Sequence, residues 1–96
     1  MQAQRTSATE ITITGNIKTT EDYLAIRQLA TDLVSSGASA LTLHILDSLS
    51  MPSAVIGFFV KLANRDKIRL TMRIQDPRLL ELLDELSLVE LFGARA

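Results

Sequence analysis

Three stretches of this chain alternate apolar and polar residues with a period of two, and that pattern restricts the fold more than any other feature. "EITITGNI", Glu10 to Ile17, sets Ile11, Ile13 and Ile17 against Thr12, Thr14 and Asn16. "ALTLHIL" sets Leu41, Leu43 and Ile45 against Thr42, His44 and Leu46, and "IRLTMRI" sets Ile68, Leu70, Met72 and Ile74 against Arg69, Thr71 and Arg73. Each reads as a strand with one apolar and one largely polar face. Helical spacing fills the gaps between them. In "TTEDYLAIRQLATDLVSSG", Ile26, Leu29, Ala30 and Leu33 repeat at i, i+3, i+4, i+7, with Thr19 suited to the N-cap, Glu21 and Asp22 to the first turn, and Gly37 beyond the end. Asp76 and Pro77 introduce a further short helix through "RLLELLDEL", and the tail "SLVELFGARA" is expected to pack Leu88, Leu91 and Phe92 onto the core.

Strands alternating with helices imply parallel pairing through crossovers, but a doubly wound sheet buries both faces and its strands would be continuous apolar runs. These strands are not. The expected fold is therefore α/β, a mostly parallel or mixed sheet with helices on one face and the other face open. Its open side would carry Thr12, Thr14, Asn16, Thr42, His44, Arg69, Thr71 and Arg73. At 96 residues the chain is read as one domain, 1–96, with residues 1–9 a short strand or a flexible N-terminus.

With no Cys and a single His44, the sequence offers neither disulfides, thiol chemistry nor a recognisable metal site, and no cofactor is expected. The N-terminus "MQAQRTSATE" is polar, and the longest apolar run, Ala54 to Val60, is far short of the roughly 20 residues that span a bilayer. A cytoplasmic protein without membrane insertion is expected. A net charge of −1 gives no reason to expect nucleic acid as a partner.

The remaining helix, within "SLSMPSAVIGFFVKL", holds the candidate site. At about 100° per residue, Val55, Ile56, Phe59, Leu62 and Ala63 share the face that must pack on the sheet. Ser53, Gly57 and Lys61 form a stripe on the opposite face, flanked by Val60 on one side and by Ala54 and Phe58 on the other. Gly inside a helix costs about 1 kcal/mol relative to Ala, so Gly57 implies a close approach to the backbone, by another part of this chain or by a partner. Ser50 is the expected N-cap, which puts the Ser53 hydroxyl in the first turn near unpaired N–H groups. Phosphorylation there would be stabilised by those donors and by the helix dipole, and would weaken a docked partner by adding almost two negative charges.

The order of elements and these motifs resemble the STAS domains, in particular the bacterial anti-sigma factor antagonists, from about Ile11 to Phe92. "ITGNIKTTEDYLAIRQL" is similar to that family's strand ending in G-E-L-D before the first helix. "LTLHILDSLSMPSAVIGFFVKL" is similar to its strand, loop and D-S-S-G-L-G-V-L helix start, and "LLELLDELSLVELF" to its closing helix. The resemblance places Ser53 on the phosphorylatable serine and Gly57 on the second glycine. Pro52 replaces the Asp before that serine, Lys18 the Asp of G-E-L-D, and Val55 the first glycine.

What the resemblance implies is a non-enzymatic regulatory module, a phosphoprotein in signal transduction. It would present Met51, Pro52, Ser53, Gly57, Phe58, Val60, Lys61 and Lys18 to a protein partner of the anti-sigma serine kinase type. A serine phosphatase would reset the switch, with Ser48 and Ser50 as reserve phosphoacceptors. The alternative is a constitutive STAS scaffold or subunit of a multiprotein complex, which Pro52 and Lys18 favour. Exposed apolar surface also permits a homodimer through the central helix or the open sheet. Ser53 or Ser48, His44 and Asp47 nominally supply nucleophile, base and orienter. However, His44 falls mid-strand, with Ser53 beyond the following loop, and no glycine-rich loop offers an oxyanion hole, so an enzyme is not expected.

Overall fold

In the computed structural model, which describes residues 1–96, each period-two stretch contains a strand whose core-facing aliphatic side chains are buried. The elements run β1 (Gln2–Arg5), β2 (Glu10–Thr14), α1 (Thr20–Ser35), β3 (Ala40–Ile45), α2 (Ser53–Asn64), β4 (Arg69–Ile74), α3 (Pro77–Glu85), α4 (Val89–Phe92) and β5 (Ala94–Arg95). They build a five-stranded sheet of order β1-β2-β3-β4-β5, in which β1 is antiparallel to β2 and the other neighbours are parallel. Parallel neighbours need long crossovers, which α1, α2 and the α3–α4 pair supply.

The sheet is one-sided. Ile11 and Ile13, Leu41, Leu43 and Ile45, and Leu70, Met72 and Ile74 join the buried faces of the helices in a single core. Ile26, Ala30 and Leu33 come from α1, Val55, Phe59 and Leu62 from α2, and Leu79 and Leu83 from α3. The Phe59 and Phe92 rings meet edge to face at 6.2 Å, which ties α4 to the middle of this layer. On the opposite face Thr12, Thr42, His44 and Thr71 are half-buried, and Arg69 and Arg73 are exposed.

Local chemistry explains both ends of α1 and the start of α3. The Thr19 hydroxyl accepts from the Asp22 N–H while the Asp22 carboxylate accepts from the Thr19 N–H, a reciprocal cap on α1 worth about 1 kcal/mol. Gly37, at φ +105°, turns the chain out of α1 as the Ala38 N–H reaches back to the Leu33 carbonyl. The Asp76 carboxylate accepts from the Arg78 N–H and caps α3, with Pro77 as its first residue.

Several expectations are corrected. The first strand ends at Thr14 rather than Ile17, because Gly15 takes φ +79° and its N–H donates to Asp47 Oδ2 at 2.9 Å instead of to a neighbouring strand. Ile17 is nevertheless buried, from a loop. Pro52, not Ser50, is the N-cap of α2, because the Ser50 carbonyl is held by the Ser48 hydroxyl at 2.7 Å, outside the helix. Met51 is only 4% exposed and belongs to the core, so it is not a presented residue. The tail adds a two-residue strand, β5, which the sequence reading did not include. Residues 1–9 contain the short strand β1.

Candidate functional site

The candidate site begins where β2 and β3 end, because parallel strands deliver their following loops to the same edge of the sheet. Short polar side chains lace those two loops together. Besides the Gly15–Asp47 bond, the Ile17 N–H donates to Ser48 Oγ at 3.0 Å and the Leu49 N–H donates to Asn16 Oδ1 at 3.1 Å. Ser48 is fully buried, and its hydroxyl both accepts from Ile17 and donates to Ser50. It is therefore a structural bridge, and the expectation of a reserve phosphoacceptor there does not hold. Lys18 lies exposed in the first of these loops, where its N–H, with that of Thr19, donates to Asp22 Oδ2. These two donors hold the Asp22 carboxyl below its ordinary value of 3.8.

The second loop leads into α2. No side chain caps this helix, and the Pro52 carbonyl accepts from both the Val55 and Ile56 N–H groups at 3.0 Å. The N–H groups of Ser53 and Ala54 are left without a protein acceptor. Ser53 is exposed as the first helical residue, and Gly57 and Lys61 follow it on the exposed stripe. Pro52 is half-buried beside it. Phe58 and Val60 flank the stripe half-buried, with the Phe58 ring edge-on to Tyr23 of α1 at a centroid distance of 6.4 Å.

Gly57 decides between the two approaches its presence implies. A Cβ built on it meets no atom within 4 Å, so nothing in this chain comes near its backbone. Leu49, 40% exposed, adds an apolar side chain in the loop before the helix. Sequence patterning missed Leu49 because a lone loop leucine has no period to reveal its exposure. A signal for the lacing was present in the Asn, Asp and Ser that follow the strands, the residue types that bond loop backbone. No family model matches this chain. A search of curated proteins likewise finds no significant match.

The other sequence-level candidates lie apart from this stripe. His44 sits mid-strand on the open face, with Nε2 2.6 Å from Glu10 Oε1 across the β2–β3 pair. That hydrogen bond holds the Glu10 carboxyl below its ordinary value of 4.5. No hydrogen bond connects His44 with Asp47, Ser48 or Ser53. No three acidic or histidine side chains converge as metal ligands would. No helix is long and apolar enough to cross a membrane.

Proposed function

We propose that this chain is a non-enzymatic bacterial regulatory module of the STAS type, which binds a protein partner along the Ser53–Gly57–Lys61 stripe of α2. The observation that carries the reading is Gly57: it weakens the helix, and no internal neighbour requires it. A partner whose backbone comes close at that position accounts for it. Phe58 and Val60 on the flanks and Leu49 at the mouth supply apolar contact, and Lys61 and Lys18 supply charge.

Ser53 is the switch in this proposal. Its exposed hydroxyl stands beside two free N–H groups at the positive end of the helix dipole, an environment that stabilises a phosphoryl group. Phosphorylation would set a charge of nearly −2 on a largely apolar docking surface and expel the partner by desolvation and repulsion. The resemblance to anti-sigma factor antagonists supports a cytoplasmic serine kinase as that partner and a serine phosphatase to reverse the modification. A second reading, a constitutive scaffold, is favoured by Pro52, which stands where the family has an acidic residue ahead of the serine.

The test compares proteins that copurify from the native cells with wild type, Ser53→Ala, Ser53→Asp and Gly57→Trp, after circular dichroism has shown that all four fold. The expected result is a partner retained by wild type and Ser53→Ala and lost by Ser53→Asp and Gly57→Trp. Retention by Ser53→Asp as well as by wild type and Ser53→Ala, with loss only in Gly57→Trp, selects the scaffold. Equal recovery with Gly57→Trp removes the docking surface altogether.

A further inference from the structure

The charges of this chain are sorted by place. Residues 61–73 carry five Lys or Arg and one acid, whereas residues 79–94 carry four Asp or Glu and no base. The fold does not cancel this separation internally, because its two ion pairs are Glu10–His44 and Asp76–Arg78. The basic region includes one wall of a concavity. A groove of about 300 Å³ runs between the C-terminal halves of α1 and α2, lined by the exposed cations Arg27, Lys61 and Arg65 and the half-buried Val34 and Phe58. Asp66 is its only carboxylate.

The acidic region is a convex helix face. Glu81, Asp84 and Glu85 are exposed at i, i+3, i+4 on α3, and Leu86, 48% exposed, follows them. Asp84 and Glu85 occupy the last turn, where the helix dipole disfavours negative charge by about 0.3–1 kcal/mol each, and no base in that turn offsets them. A chain arranged only for its own stability would place Lys or Arg there. A cationic surface on another molecule reverses that cost.

We propose that the groove between α1 and α2 receives the acidic end of α3 from a second copy of this chain. Glu81, Asp84 and Glu85 then face Arg27, Lys61 and Arg65, and Leu86 meets the apolar lining at Phe58. The sizes agree. The α1 wall of the groove runs from Arg27 to Ser35, about 12 Å at 1.5 Å per residue, and the segment from Glu81 to Leu86 is shorter than that. One copy cannot fill its own groove, because α4 packs between α2 and α3 in the same helical layer. An extended polyanion would neutralise the groove but leave Glu81, Asp84 and Glu85 of α3 without a cationic partner. A two-fold pair makes both contacts twice and closes, and a head-to-tail pair propagates; both use the same two surfaces.

The experiment is sedimentation velocity on the purified full chain, from micromolar to millimolar concentration, at low and high salt. The expected result is a mass that rises with concentration at low salt and returns to the monomer at high salt. The double variants Arg27→Glu/Arg65→Glu and Glu81→Lys/Glu85→Lys are each expected to remain monomeric. Their equimolar mixture is expected to assemble, because each contact then pairs opposite charges again. The groove shares Phe58 and Lys61 with the partner surface proposed above, and the four substituted positions avoid both, so loss of self-assembly in these variants is distinguishable from loss of a partner at the Ser53–Gly57–Lys61 stripe. Gln at the same positions replaces any reversal that fails to fold, with loss of assembly as its expected effect. A wild type that stays monomeric throughout overturns the proposal, as does assembly that persists unchanged in both variants.

Discussion

Gly57→Ala tests the central observation with one methyl group. Gly57 is an interior residue of a 12-residue helix, where Ala is more favourable by about 0.8–1.0 kcal/mol. Corrections to that figure are small, because the added Cβ touches nothing within 4 Å and gains no burial. The φ of Gly57 is not in the left-handed region, so Ala carries no backbone strain. The expected outcome is stabilisation by about 1 kcal/mol, which for a domain of this size raises Tm by roughly 4–8 °C. Urea unfolding followed by far-UV circular dichroism measures it, with an unchanged slope showing that the same surface unfolds. Partner affinity is expected to fall as stability rises, the exchange that follows when a residue serves binding rather than folding. A destabilised Gly57→Ala would refute the reasoning, since it would mean that the helix needs the gap for its own packing.

The contrasting glycine is Gly93, at φ +56° with its would-be Cβ driven into the Leu70 carbonyl oxygen; Gly93→Ala is expected to lower the urea midpoint clearly where Gly57→Ala raises it. Ser48→Ala removes the acceptor of the buried Ile17 N–H and is expected to cost about 1–3 kcal/mol in the same assay, with faster amide exchange at Ile17. Met51→Ala is expected to cost about 2–5 kcal/mol, as a core truncation, and to leave partner affinity unchanged in the folded fraction. Asp22, held below its ordinary 3.8 first by the Lys18 N–H and then by that of Thr19, contributes stability above that value and loses it as pH falls through its lowered folded value. The urea midpoint of Asp22→Asn is therefore expected to decline less steeply than that of wild type as pH falls below about 4, and parallel curves would contradict the cap.

The parts of this fold that were legible in the sequence are those fixed by neighbours a few residues away. Period two marked β2, β3 and β4, and the i, i+3, i+4, i+7 spacing with Thr19 as N-cap and Glu21 and Asp22 in the first turn marked α1, because side-chain direction and cap chemistry are local. The α2 start was misread for the opposite reason. Ser50 has cap chemistry, but its carbonyl is bound by Ser48, whose position depends on Ile17 in another loop. Met51 was placed outside because nothing local reports that its loop crosses the core. β5 is two residues long and exists through its register with β4, which no short window contains. At the candidate site the Ser53–Gly57–Lys61 stripe followed from helical spacing. That Gly57 faces empty space required the positions of every other element.

The bonds from Gly15, Ile17 and Leu49 to Asp47, Ser48 and Asn16 also bear on how fast such a site is read. If a partner docks on α2 as proposed, it meets loops already tied to one another by these bonds, so little ordering is left to accompany contact. Association should then show a single phase whose observed rate rises linearly with partner concentration, and affinity changes at Ser53 should appear in the rate of departure.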